Sequence, residues 1–307
     1  SWTDVIQGLL MAAALIVVPV MALNVVGGWD AVHGAMEARN PELLNLWTNV
    51  EGEPLGFIAI ISLLGWGLGY FGQPHILARF KAIESDAALP TARRIAVLWS
   101  GVCLLAALVI GWIGIGYFGE EGLADAETVF LALVQALMHP LVAGILLAAV
   151  LAAIMSTADS QLLVSSSALA EDFYKALFRR DASQQELVWV GRAAVVGIAA
   201  LALVFAFNPE STVLGLVSYA WAGFGAAFGP AIILSLFWRR MNRFGALAGI
   251  IVGGVTVVVW KQIDTIGLYE IIPGFILATI AIVVVTLITP APEGKVADQF
   301  DDMASRF

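Results

Sequence analysis

The sequence has few charged residues and a single cysteine. Only 13% of its 307 residues are Asp, Glu, Lys or Arg, whereas 60% are hydrophobic, and the mean hydropathy is +0.91. A soluble domain carries about twice that charged fraction, so the composition indicates a membrane protein. One cysteine, Cys103, builds neither a disulfide framework nor a thiolate metal site. Nucleic-acid binding is excluded because the net charge is −9 and only 15 residues are basic.

Long hydrophobic runs are abundant. A helix that crosses a bilayer needs about 20 apolar residues, and eight stretches meet or nearly meet this length. The segment 128-138 is too short to cross and follows an acidic run, so it is predicted to be a helix lying on the membrane surface. The eight predicted spans cover residues 5-26, 55-79, 96-118, 141-168, 189-207, 213-238, 244-261 and 270-289.

The basic residues predict the orientation of these spans. When successive connections are assigned to alternate sides, only Arg39 and Lys261 fall on one side. The positive-inside rule makes the richer side cytoplasmic, so both ends of the chain are expected in the cytoplasm and the loops 27-54 and 119-140 outside. The 13 residues of the richer side are Arg79, Lys81, Arg93, Arg94, Lys175, Arg179, Arg180, Arg192, Arg239, Arg240, Arg243, Lys295 and Arg306.

The second predicted span is a poor helix former between Gly65 and His75. Its four glycines and one proline lower the intrinsic helix preference by roughly 7 kcal/mol relative to alanine, so the helix is predicted to unwind there. Gly65, Gly69 and Gly72 share one face, which also suits close packing between helices.

The same stretch has a second, aromatic face. Trp66, Tyr70 and Pro74 recur every four residues, with Gln73 beside them. Such a face suits a small amphipathic ligand, and many secondary transporters bind their substrate at a broken helix near the bilayer midplane. Packing and ligand binding both remain open. In the sixth span, near its outer end, Ser218, Tyr219 and Trp221 either cover a pathway or belong to an interfacial aromatic belt.

The fourth predicted span has polar residues halfway along it. Ser156 and Thr157 offer adjacent hydroxyls which, together with backbone carbonyls, are the neutral oxygen ligands that a hard cation such as sodium takes. The alternative is that these hydroxyls bond within their own helix or to a neighbour. Asp159 is an acid near the bilayer centre, where acids are normally functional, and Gln161 lies one turn beyond Thr157.

Several of these segments resemble the bacterial proline-transporting branch of the sodium/solute symporter family. The resemblance implies a LeuT-type fold of two inverted five-helix repeats, with one substrate and at least one sodium ion at the midplane. It extends along nearly the whole chain. The similar segments are GWGLGYFGQPHILARF at 65-80, residues 152-164 around the two hydroxyls, 171-175, ELVWVGR at 186-192, VLGLVSYAWAGFGAAFGP at 213-230 and YEIIPGF at 269-275.

The resemblance also implies roles for individual residues. Trp66, Tyr70 and Pro74 match positions that line the proline site. Gln73, which lies beside them, is also predicted to belong to that site. Ser156 and Thr157 match hydroxyl ligands of sodium, with the Ala153 carbonyl as a third. The residues expected to support sodium binding are Asp4, Asp159, Gln161 and Leu162.

A full member of that family has about thirteen spans, of which this chain resembles the last eight. We therefore expect residues 1-307 to be a single transmembrane transporter domain that lacks the N-terminal spans and so shows half of each site. The expected function is sodium-coupled import of L-proline across the bacterial inner membrane, with no enzymatic chemistry. Symport of another small solute and a symporter-like sensor domain are the alternatives.

Overall fold

The elements of regular structure are helices. A computed structural model describes residues 2–49, 51–119, 122–207, 212–292 and 294–305. Within these ranges the twelve α-helices confirm the predicted all-α membrane protein. They are α1 (Trp2–Val26), α2 (Trp29–Arg39), α3 (Phe57–Gly65), α4 (Pro74–Lys81), α5 (Leu89–Phe118), α6 (Val129–Leu137), α7 (Pro140–Ser167), α8 (Gln184–Ala206), α9 (Val213–Phe237), α10 (Arg243–Ile263), α11 (Ile271–Ile288) and α12 (Lys295–Ser305).

Seven candidate spans are long and apolar enough to cross a membrane, and a bent pair makes an eighth. The pair is Phe57–Gly72 with Pro74–Lys81, which meet at an angle of 49°. The predicted number of spans and their approximate positions are therefore confirmed. The segment 128-138 is indeed too short to cross. One face of α6 packs against the core of the first unit, since Leu133 and Val134 are fully buried, and its location on the membrane surface stays a prediction.

The chain divides into two compact units. The first consists of Ser1–Pro54 with Ile83–Phe205, and the second of Leu55–Ala82 with Ala206–Phe307. In the first unit, α1, α5, α6 and α7 enclose a core of aliphatic side chains that includes Val18, Ile113, Leu133 and Leu146.

Glycines allow very close helix packing in the second unit. Gly245 and Gly249 of α10 face Thr286 and Ile282 of α11, and the side chains of both partners are fully buried. Gly253 of the same helix packs against the backbone of α9. A stripe of glycine at every fourth residue lets backbones approach in this way, because no Cβ separates them.

Candidate substrate and sodium sites

The second span breaks where its sequence predicts. The α-helical geometry of α3 gives way to a 3-10 segment at Trp66–Gly72, Gln73 is extended, and Pro74 begins α4. Proline is well suited to the first position of a helix, because the backbone N–H group at that position has no partner within the helix and its absence costs nothing. The glycines that precede Pro74 have a low helix propensity. The break therefore follows from local sequence.

The glycine face of the broken span packs against α9 and α11. A Cβ atom at Gly69 would overlap the indole of Trp221, and one at Gly72 would overlap the carbonyl oxygen of Phe224. Gly65 lies similarly close to Ile272. The close-packing interpretation of these three glycines is thus confirmed.

The aromatic face belongs to a cluster that also draws on α9 and the residues preceding α11. The Trp66 ring is stacked on Trp221 with centroids 5.4 Å apart and on Tyr269 at 6.4 Å. Tyr70 meets Trp221 edge to face at 4.8 Å. Tyr70 is 51% exposed, whereas Trp66 is half-buried. Of the two predicted aromatic contacts, Tyr70 therefore offers the more accessible surface.

Gln73 and Pro74 complete the predicted substrate set. Gln73 is buried, and its side-chain Nε2 donates hydrogen bonds to the carbonyl oxygens of Gly69 and Trp221, each at 3.2 Å. Pro74 is half-buried at the start of α4. The structure thus brings Trp66, Tyr70, Gln73 and Pro74 together at the break, and their contact with a substrate stays a prediction.

Two members of the aromatic cluster were not predicted as site residues. For Trp221 the sequence predicts either a cover over a pathway or a belt residue, and for Tyr269 it indicates only a place within one of the similar segments. Tyr269 donates its hydroxyl to the Ser218 carbonyl at 2.7 Å, and its backbone N–H donates to Ser62 Oγ at 3.0 Å. Burial, followed by the nearby Glu270 carboxyl, raises the pKa of Tyr269, so the phenol stays neutral.

The predicted sodium ligands lie on α7, in the first unit. The Ser156 hydroxyl donates to the Ala153 carbonyl oxygen at 3.1 Å, and the Ser160 hydroxyl donates to the Ser156 carbonyl at 3.0 Å. Two of the three predicted oxygen ligands are therefore neighbours, while Thr157 is exposed. These hydrogen bonds within the helix also agree with the alternative that the hydroxyls only stabilise their own helix. The role in sodium binding therefore stays a prediction.

The predicted supporting residues are distributed around the same helix and on α1. Asp159 and Gln161 are exposed and Leu162 is half-buried. Asp4 lies in the first turn of α1, and its side chain is outside the part of the chain that the structure describes. The described ranges contain no group of three or more His, Cys, Asp or Glu residues suited to hold a metal ion.

Beyond its hydroxyls, α7 continues into a π-helical segment at Ala168–Phe178, a departure from regular α-helix that is not predicted from the sequence. Its end is tied to α8 through Glu186, whose Oε1 accepts hydrogen bonds from the Tyr174 hydroxyl and from Arg179 Nη1, both at 2.7 Å. π-Helical turns occur frequently at functional sites. The predicted sodium helix is therefore regular around Ser156 and irregular only toward its C-terminal end.

Comparison with known proteins identifies extensive similarity. The model of the sodium:solute symporter family matches residues 1–253. The sodium/proline symporter of Escherichia coli is 51% identical over 313 residues, covering 100% of this chain and 61% of that protein. The high-affinity proline transporter PutP of Bacillus subtilis is 48% identical over 305 residues, covering 98% and 63% respectively. A third relative, the osmoregulated proline transporter OpuE of B. subtilis, is 49% identical over 297 residues, covering 95% and 59%. The chain thus spans roughly three fifths of the length of these relatives and aligns with their C-terminal part.

Proposed function

The chain belongs to the sodium:solute symporter family, and from this membership we propose that it is part of a sodium-coupled importer of L-proline. The observation that carries the proposal is the broken span, which presents the half-exposed Tyr70 beside Trp66. The similarity to three proline transporters supports the choice of solute. As a symporter the protein moves its substrates without covalent chemistry, and sodium is the co-transported ion.

At the break, the aromatic rings supply apolar area for the pyrrolidine ring, and the interrupted helix supplies free backbone groups for its charged ends. Sodium is held by Ser156, Thr157 and the Ala153 carbonyl, with help from Asp4, Asp159, Gln161 and Leu162. One sodium ion that enters down 100 mV releases about 2.3 kcal/mol. That energy supports roughly fortyfold accumulation of proline before any sodium gradient is added.

The chain is a multi-pass membrane protein. In the proposal it lies in the bacterial inner membrane with both ends cytoplasmic. Its partners are the lipid bilayer, sodium, proline and upstream spans, which supply the inverted repeat that shares both sites. We expect those spans to correspond to the N-terminal region of the relatives, which this chain does not cover.

The proposal is tested with a chimera in which the uncovered N-terminal part of the E. coli symporter precedes this chain. Purified chimera in proteoliposomes should take up radiolabelled proline when sodium, but not potassium, is supplied outside with a negative interior. The chain without that part should insert and yet fail to transport, because it lacks the partner repeat. Equal proline uptake in potassium and in sodium would rule out sodium coupling. If another amino acid inhibits the uptake at a lower concentration than unlabelled proline does, that amino acid is the better candidate for the transported solute.

A further inference from the structure

Trp221 contacts three of the four residues predicted to form the substrate site. Its indole Nε1 donates to the carbonyl oxygen of Trp66 at 2.9 Å, and its ring stacks on the Trp66 ring at an interplanar angle of 15°. The Tyr70 ring stands edge to face against it at 87°. Its own carbonyl accepts a hydrogen bond from Gln73 at 3.2 Å. All four residues lie in the same compact unit.

These contacts compensate for a local weakness of the broken span. The 3-10 segment contains three glycines between Trp66 and Gly72, so its own backbone does not define one conformation strongly. Trp221 lies instead on α9, a helix of 25 residues with a buried small-residue face. The aromatic rings of the break are thus held from a regular helix, 155 residues away in sequence from Trp66.

Gly69 makes this arrangement possible. Any Cβ atom at position 69 would overlap the Trp221 indole, so only glycine leaves room for the ring beside the segment. The neighbouring Gly67 has open space around it, so a Cβ atom at position 67 would not overlap any other residue. One glycine of the segment therefore has a specific partner, and that partner is Trp221.

We propose that Trp221 is a positioning residue of the proline site, an inference that rests on the proposed function. By fixing the Trp66 carbonyl, the Trp66 ring and the Gln73 amide, it sets where Trp66 and Tyr70 present their surface to the pyrrolidine ring. A binding site whose aromatic side chains are held rigidly discriminates between substrates by size. A site whose side chains can move accepts larger rings. Trp221 accordingly limits the size of the ring that the transporter accepts.

The test uses Trp221→Phe in the chimera, because phenylalanine keeps an aromatic ring and removes only the N–H donor and part of the area. At saturating sodium the KM for proline should rise about tenfold, while the maximal rate per folded transporter changes by less than about twofold. Preference for proline over its six-membered homologue, pipecolate, should fall by a similar factor. Gly69→Ala should act in the same way by displacing the indole.

Two matched variants serve as controls. Trp260 of α10 also donates its indole N–H to a carbonyl, that of Leu268 at 2.9 Å in the connection between α10 and α11. Trp260→Phe should change folding stability and leave the KM and the preference unchanged. Gly254→Ala, at an open position on α10 outside the break, plays the same part for Gly69→Ala. Folded protein is counted by gel filtration before each rate is calculated.

The outcomes separate the two proposals. If the unaltered chimera shows no sodium-dependent proline uptake, the proposed function itself is wrong. If it transports, but Trp221→Phe and Gly69→Ala match their controls in KM and in preference, Trp221 is only a packing residue. If Trp221→Phe yields too little folded protein to measure, the comparison of Gly69→Ala with Gly254→Ala decides the question alone.

Discussion

At the scale of single residues, the Ser156 hydroxyl has a close structural counterpart on its own helix. Ser166 also donates its hydroxyl to the carbonyl three residues earlier, that of Leu163, at the same 3.1 Å. In the chimera, Ser156→Ala or Thr157→Ala should raise the sodium concentration for half-maximal uptake about tenfold, because each removes an oxygen ligand. Ser166→Ala should not. If all three variants need the same sodium concentration for half-maximal uptake as the unaltered chimera, Ser156 and Thr157 have a structural role only.

Tyr70 and Trp66 should respond differently to truncation. Tyr70 is half-exposed, so Tyr70→Ala should weaken proline binding about tenfold while folding stability changes little. Trp66→Ala should weaken binding and also lower stability, since it removes the stack with Trp221 and Tyr269. Equilibrium binding of labelled proline at saturating sodium and thermal unfolding in detergent measure the two effects. Unchanged affinity with reduced yield would mean that both rings serve packing.

At the scale of elements, the contact between the broken span and α9 should be intolerant of even one methyl group. Gly72→Ala places a Cβ atom against the Phe224 carbonyl, and overpacking of this kind typically costs about 1–3 kcal/mol. Gly67→Ala, in open space on the same segment, should leave the unfolding temperature unchanged or raise it slightly. Thermal unfolding of the purified chimera compares the two variants directly. A lower unfolding temperature for Gly67→Ala would contradict this account.

The last helix, α12, is attached by a charged pair. Both oxygens of Asp301 accept hydrogen bonds at 2.7 Å from Arg239, which lies just after α9. These hydrogen bonds, and then the Arg239 charge, hold the pKa of Asp301 below its ordinary value. A lowered folded-state pKa means that the pair stabilises the attachment above the unfolded-state value and loses this effect as pH falls through the folded-state value.

A spin label at the exposed Ala304 should therefore stay immobilised from neutral pH down to about pH 5 and become mobile only below about pH 4. Asp301→Asn should release the helix already at neutral pH. Identical label mobility in Asp301→Asn and the unaltered protein would show that α12 is held by other contacts.

The features that depend on nearby residues were predictable from the sequence, and those that depend on distant ones were not. Span positions follow from local hydropathy, and the break at Trp66–Pro74 follows from its own glycines and proline. The Trp221 to Trp66 bond joins residues 155 positions apart, so no local signal identifies it. The packing of Leu133 and Val134 into the core of the first unit also depends on residues distant in sequence, so no local signal identifies it.

At the scale of the whole molecule, the distribution of basic residues makes a prediction about orientation. With the native Cys103 replaced by serine, a cysteine at the highly exposed Leu46 should react with a membrane-impermeant maleimide in intact cells. A cysteine at Ala92, which is also exposed, should react only after the cells are opened. The reverse pattern would invert the proposed topology.

Glycine-mediated contacts in the second unit determine how this part of the molecule can deform. Gly72 against Gly225, and Gly253 against Ala226, bring backbones together with no rotamers between them to readjust. Such contacts lose no side-chain entropy on forming, and they cannot be loosened gradually by a rotamer change. Within this unit, α9, α10 and the 3-10 segment Trp66–Gly72 should therefore rotate as a block. Bending of the broken span should then concentrate at the extended residue Gln73, where the helix is already interrupted.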